Sequence, residues 1–270
     1  MREGDTINID ITGPGATLAL GMMFFDSGNE AIAEWMDAPS TQFLLEFVRP
    51  DFLMLRTISR GLIMWRSIVP SLDWILSNVP DSIVDLCLKR PSDAHPVNTD
   101  YETINQAYCN ITSGAALVLG MRFAGSCNKG AFEAIYAHLL KLLAISKRSV
   151  AELAGQATIE QTICVHVLAL AVVMAGSGDL EVIRVIRYLR SRVGPKHSTV
   201  TYGSHVALHL SLGLLFLGGG HLTLSTRPEA VAAMICAFYP KFPTHSNDNR
   251  SVRMKGAFIV LRWSWGARLH

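Results

Sequence analysis

The chain has 270 residues, 50% of them hydrophobic and 17% charged, with a net charge of +2; this composition supports a substantial buried core and excludes a disordered chain. Charge is unevenly placed: residues 241–270 hold six Lys/Arg and one Asp, whereas residues 1–240 carry 18 basic against 21 acidic side chains, so the body is not a nucleic-acid footprint. Five cysteines, Cys87, Cys109, Cys127, Cys164 and Cys236, form no CxxC pair and read as reduced thiols rather than a disulfide framework, and Met1 to Asp5 lacks the apolar stretch of a secretory signal.

Gly15 to Phe24 is an apolar stretch rich in small residues, with Leu20, Met23 and Phe24 at helical spacing, and it runs into the turn Asp26-Ser27-Gly28-Asn29. A second helix carrying Ile32 and Trp35 completes a unit over residues 7–36. Residues 37–100 follow, with Pro39, Pro50, Pro70, Pro80, Pro91 and Pro96 cutting them into amphipathic pieces at 41–48, 52–68, 72–78 and 81–89. This proline-punctuated segment reads as a helical insertion laid on the repeats, with an exposed loop from Lys89 to Asp100.

The opening pattern returns three times within residues 101–240. Gly114 to Phe123 leads to Gly125-Ser126-Cys127-Asn128, His166 to Met174 leads to Gly176-Ser177-Gly178-Asp179, and Leu208 to Phe216 leads to Gly218-Gly219-Gly220-His221. The middle of each first helix is Gly21, Gly120, Ala171 or Gly213, at separations of 99, 51 and 42 residues. Glycine there costs about 1 kcal/mol relative to alanine, so close approach of a neighbouring helix is the expected compensation. Gly28 and Gly178 are placed for the left-handed cap that ends a helix, and Asn29, Asn128 and Asp179 for the N-cap of the next. Second helices follow with Phe132, Ile135, Tyr136 and Leu139, then Val182, Val185, Ile186 and Leu189. After the fourth turn, Thr226-Arg227-Pro228-Glu229 predicts a capping box that opens a helix to Tyr239. Recurrence of one helix-turn-helix unit predicts an all-α fold, an α-solenoid, an architecture that binds more often than it catalyses.

His197 to Thr226 contains no Asp, Glu, Lys or Arg, and its length alone would permit a membrane span. Gly218 to Gly220 interrupts the helix, His205 and His209 lie near its start, and the sister segments are equally short and glycine-punctuated. Buried solenoid helices therefore explain all four together. A small polytopic membrane protein with glycine-rich helices is the alternative.

The helix with a central glycine, an apolar triplet and a Gly-Ser-Gly-Asn turn resembles the proteasome/cyclosome repeat. Within that group, Gly13 to Met23, Arg49-Pro50-Asp51-Phe52-Leu53, Ser77-Asn78-Val79-Pro80, Asn110 to Ala116 and Leu212 to Gly220 are similar to the subunit 1 family of the anaphase-promoting complex, and the likeness covers residues 7–250. The signature so marked is Gly15, Gly21, Phe24 and Gly28; Gly114, Gly120, Phe123 and Gly125; Ala171, Gly176 and Gly178; and Gly213, Phe216, Gly218 and Gly220. The resemblance implies an arc of a helical toroid and a non-catalytic scaffold in the ubiquitin ligase that acts on cell-cycle proteins at the metaphase-anaphase transition of mitosis. It implies partners in a tetratricopeptide-repeat arm and a cullin/RING platform, and residence in nucleus and cytoplasm. It implies no cofactor, metal, small-molecule ligand, nucleic acid or membrane. The likeness is lost after Arg250, and residues 241–270, with Arg253, Lys255, Arg262, Trp263, Trp265 and Arg268, read as a basic divergent tail.

Candidates for chemistry are weaker than the repeat. His205 and His209 have the i, i+4 spacing of a metal pair, but a third ligand is not evident and helix packing is the favoured reading. His166 replaces an Ala or Leu column of the repeat and is expected to be a hydrogen-bonded core histidine. Gly218-Gly219-Gly220 lacks the lysine of a phosphate-binding loop, so a structural turn is expected. Cys109 and Cys164 read as core thiols, since His166 would face away from Cys164 on a helix. Asp73, Asp81, Asp85, Asp93 and Asp100 form no paired-carboxylate motif, and no catalytic residue is assigned.

Overall fold

The computed structural model describes residues 2–3, 6–7, 9–88, 100–146 and 154–245. Its helices are α1 (Ile9–Met23), α2 (Glu30–Glu34), α3 (Gln42–Leu45), α4 (Pro50–Ile63), α5 (Leu72–Ser77), α6 (Asp81–Val84), α7 (Tyr101–Arg122) and α8 (Lys129–Ile145), followed by α9 (Gln156–Val173), α10 (Leu180–Arg190), α11 (Tyr202–Leu215) and α12 (Pro228–Ala237). Arg2–Glu3 and Thr6–Ile7 add a minimal antiparallel pairing before α1. The fold is all-α, as the repeats predict. The tail after His245 and residues 89–99 of the expected Lys89 to Asp100 loop lie outside the described residues.

Five helices stack as a ladder in the order α1, α4, α7, α9, α11, each packed against the one before and the one after. The others lie along the ladder's flank, with α2 on α4, α5 on α7 and α8, α8 on α9, and α10 on α11. A helix between two ladder neighbours and a flanking helix has no free side, which explains why α7 is buried almost continuously from Ile104 to Met121 and α9 from Ile159 to Val173. The proline-punctuated segment contributes α4 to the ladder itself, between α1 and α7, rather than lying on its outside.

The prolines explain the broken helices of residues 37–88. Pro50 occupies the first turn of α4, where its missing N–H costs nothing, and Pro80 N-caps α6. Thr41 and Ser71 accept from Leu44 N–H and Trp74 N–H to start α3 and α5. The expected capping box at Thr226 to Glu229 is not formed: α12 begins at Pro228 after an Arg227 N-cap with no side-chain bond. A reciprocal box occurs instead at Thr201 and Ser204, at the start of α11.

The apolar face read from Leu20, Met23 and Phe24 is only partly inward. Met23 is 78% exposed and Phe216 52% exposed, because α1 and α11 are the two outermost rungs and each has one side without a ladder neighbour. Trp35 is likewise exposed: α2 closes at Glu34 after five residues, so its apolar stripe stops short of the tryptophan.

Candidate functional site

The Gly-Ser-Gly-Asn turn is a stitch between successive rungs. After α1, the N–H groups of Asp26 and Gly28 donate to Leu62 O (2.9 Å) and Ile63 O (3.0 Å) at the C-terminus of α4. After α7, Gly125 and Cys127 donate to Val172 O (2.9 Å) and Val173 O (3.1 Å) of α9, and after α9, Gly176 and Gly178 donate to Leu214 O (2.9 Å) and Leu215 O (3.0 Å) of α11. The last carbonyls of a helix have no partner of their own, so α4, α9 and α11 each receive from the preceding rung the donors they lack. Both donors of every stitch have positive φ, which turns alternate N–H groups to the same side. Within the turns, Ser27, Ser126 and Ser177 donate back to Phe24 O, Phe123 O and Met174 O, and accept from the N–H of Asn29, Asn128 and Asp179. Those three side chains cap the next helix at Ile32, Ala131 and Val182.

No such stitch joins α4 to α7 among the described residues. Ser67 keeps the bond to Met64 O, but Ile68 stands at the second donor position with φ −73°, followed closely by Pro70. That junction is held by close packing instead: a Cβ on Gly61 would meet Val118 at 2.8 Å, and one on Gly114 would meet Met54 O at 2.6 Å. Arg122 adds its guanidinium over the rings of Trp65 (5.7 Å) and Phe123 (5.6 Å).

The mid-helix small residues lie where rungs touch. A Cβ on Gly21 would meet Ser59 of α4 at 2.8 Å, one on Gly120 would meet Ala169 O of α9 at 2.9 Å, and Ala171 is fully buried. Ser59 also donates to Thr17 O (2.9 Å), a cross-rung bond that only a small neighbour at Gly21 permits. Gly213 is the exception: no atom lies within 4 Å of its Cβ position. Gly15 is open in the same way, at the start of α1. Phe24 packs half-buried on Ala33, Met36 and Ile63, Phe123 packs half-buried on the main core, and Phe216 leans over Gly178.

A strap from Leu222 to Leu224 crosses the turns of two units. Thr223 donates to Gly125 O (3.1 Å) and Ala175 O (2.9 Å), while a Cβ on Gly176 would sit 2.2 Å from Leu222 O. Close approach, not only φ, therefore requires glycine at Gly125 and Gly176. Gly218 folds over the Leu222 side chain, and Gly220 lies with its Cβ position 3.3 Å from Gly176 O, so the triple glycine serves as the corner that launches the strap.

Polar groups inside the ladder form two closed arrangements. Tyr108 Oη is 3.0 Å from His138 Nε2, His138 Nδ1 is 2.8 Å from His166 Nε2, and His166 Nδ1 is 2.8 Å from Thr162 O, linking α7, α8 and α9. His166 is thus the hydrogen-bonded core histidine expected, while Tyr108 and His138 are members the repeat pattern did not reveal. Burial pushes the His138 imidazole down to about 2, helped by His166 and Lys141, and the His166 imidazole down to about 4; both rings are neutral. Glu160 of α9 accepts from Nη1 and Nη2 of Arg192, at 2.5 and 2.8 Å, with 9% and 12% of the two side chains exposed.

The nucleophile and metal candidates assemble no reactive group. Burial raises the thiols of Cys109 and Cys164 to about 12, and His166 is bonded to Thr162 and His138 rather than to sulfur. His209 Nδ1 donates to the carbonyl of His205, and among the described residues no three His, Cys, Asp or Glu side chains converge on a metal position. Two helices, Gln156–Val173 and Tyr202–Gly220, are long and apolar enough to cross a membrane, but 78% of the first is buried inside the chain, as a core rung must be.

A family model described as the APC1 fifth domain matches residues 1–254. The chain belongs to the anaphase-promoting complex subunit 1 family. It is 45% identical over 252 residues to anaphase-promoting complex subunit 1 of Homo sapiens, covering 93% of this chain and 13% of that protein. It is 40% identical over 262 residues to the subunit 1 of Arabidopsis thaliana, covering 93% of this chain and 16% of that protein. A relative from Emericella nidulans, 36% identical over 245 residues, is named a negative regulator of mitosis. The chain thus spans a small part of the length of the subunit 1 proteins it matches.

Proposed function

We propose that this chain is a non-catalytic scaffold segment of an anaphase-promoting complex, an arc of repeats that holds other subunits in position while partner enzymes transfer ubiquitin to cell-cycle proteins. The observation that carries the reading is the stitched turn. Three of the four rung junctions, at α4, α9 and α11, are completed by the turn of the rung before, so the unit is built to add neighbours, and long stacks of this kind make rigid, extended binding surfaces. Supporting it, α11 presents an uncovered stripe of Tyr202, His209, Gly213 and Phe216 at helical spacing. Its Gly213 has the same mid-helix place as Gly120, which in α7 receives the backbone of the next rung. The partners proposed are subunits of the tetratricopeptide-repeat arm and of the cullin/RING platform, met in nucleus and cytoplasm.

Affinity purification of the tagged chain from dividing cells tests this, with intact complex present. Recovery of tetratricopeptide-repeat and cullin subunits in stoichiometric amounts is the expected result. Recovery of the chain alone, or its retention in carbonate-washed membranes, would contradict the scaffold role.

A further inference from the structure

Charge is segregated along this ladder. Residues 1–181 carry 12 Lys/Arg against 20 Asp/Glu, whereas residues 182–228 carry six Lys/Arg and no acidic residue at all. Five of these six basic residues lie on α10 or in the turn just after it. Helix α10 buries Val182, Val185, Ile186 and Leu189 against its neighbours and leaves Arg184, Arg187 and Arg190 exposed on the opposite side, with Lys196 exposed in the following turn. Arg184 is held by Glu181 on its own helix and Arg192 turns inward to Glu160, but Arg187, Arg190 and Lys196 have no acidic partner among the described residues. The positive field reaches the next rung: the His205 imidazole is lowered by burial, by His209, and by Arg192 and Arg190 across the α10–α11 contact.

A solvated helix surface ordinarily interleaves both signs, because unpaired like charges repel at the i, i+3 spacing that Arg187 and Arg190 occupy. Guanidinium groups in such a row present forked donors matched to carboxylates. We propose that the outer face of α10, centred on Arg187, Arg190 and Lys196, is a docking surface for an acidic peptide segment of a partner protein. The partner's Asp and Glu carboxylates take the two guanidinium forks and the Lys196 ammonium. A carboxylate peptide is favoured over a nucleic acid because the flanking body of the chain is net negative, which opposes a long polyanion but leaves a short segment unaffected. The proposal does not depend on the assembly reading above, since it concerns one outer helix.

The experiment is fluorescence anisotropy of a labelled Asp/Glu-rich peptide carrying one leucine and one tyrosine, titrated with the full 270-residue chain at physiological ionic strength. Saturable binding that weakens as salt is raised is expected. The pair Arg187→Glu and Arg190→Glu together should weaken it about tenfold or more, Arg187→Gln with Arg190→Gln by a smaller factor, and Lys129→Glu, an exposed position on α8, by less than about twofold. The neutral pair preserves the test if charge reversal disturbs folding. Absence of saturable binding by the unaltered chain, equal binding by the neutral pair, or tighter binding of single-stranded DNA or anionic vesicles than of the peptide would overturn the proposal.

Discussion

His138 donates from Nδ1 to Nε2 of His166 across 2.8 Å, and the direction of that bond is set at its far end. Thr162 O can only accept, so His166 Nδ1 carries the proton and its Nε2 is bare. His138 must then donate from Nδ1, leaving its Nε2 to accept from Tyr108 Oη, whose own lone pairs face Lys141 Nζ at 3.5 Å. Nitrogen-edited NMR should therefore find both imidazoles in the Nδ1–H form. His166→Leu should lose about 1–3 kcal/mol in urea unfolding, because it strands the His138 donor in the core. A stability within error of the parent would mean that the chain of bonds is not formed.

The same pair sets a pH dependence. Both imidazoles are depressed in the fold, His138 to about 2 and His166 to about 4, against about 6.5 in an unfolded chain. As pH falls below about 6.5 the unfolded chain binds protons that the fold refuses, so stability declines from there down to about 4 for His166 and about 2 for His138, and is flat in this respect above neutrality. Each histidine contributes up to about 1.4 kcal/mol per pH unit in that window. Urea midpoints at about pH 7 and about pH 5 check this, the lower pH giving the lower midpoint. Equal midpoints would contradict neutral burial.

Glu160 and Arg192 are mostly buried and bonded through both carboxylate oxygens. Arg192→Ala leaves the carboxylate uncompensated and should cost about 3–5 kcal/mol, whereas Arg192→Met with Glu160→Leu should recover most of that loss. Thermal unfolding of the single and double variants distinguishes these outcomes.

Thiol labelling reads the core directly. Cys127 and Cys236 are exposed and should react with a maleimide in the folded chain, while Cys87, Cys109 and Cys164 are buried and should react only after denaturation. The thiols of Cys109 and Cys164, raised to about 12, are further protected by staying protonated. Fast labelling of Cys164 in native buffer would contradict the burial of α9.

Repeat helices and turns were legible because each turn repeats one local chemistry, glycine or a tolerated left-handed residue followed by an Asx cap, and local chemistry survives in sequence. The place of α4 in the ladder was not, because its turn replaces the second glycine with Ile68 and Pro70 and so hides the repeat. Close approach at Gly21 and Gly120 could be anticipated from a glycine's cost in a helix, but its partners, Ser59 and Ala169, lie in other units and leave no local mark. The strap at Thr223 was illegible for the same reason: its acceptors are 98 and 48 residues away. His138 left one readable sign, a polar residue at i+3 from Ile135 on an otherwise apolar face, which calls for a partner without naming it. The basic run that follows Glu181 was in the composition throughout, but needed the helix to show that Arg187 and Arg190 share a side.

The claim on which the rest stands is that the mid-helix glycine is a stacking surface, covered at Gly120 and open at Gly213. Urea unfolding of Gly120→Ala and Gly213→Ala tests it within one protein. Gly120→Ala should destabilise by about 1–3 kcal/mol, as a Cβ forced against Ala169 backbone outweighs the gain in helix propensity, and Gly213→Ala should stabilise by about 0.5–1 kcal/mol through propensity alone. Opposite signs are predicted; a stabilising Gly120→Ala, or a destabilising Gly213→Ala, would contradict the account.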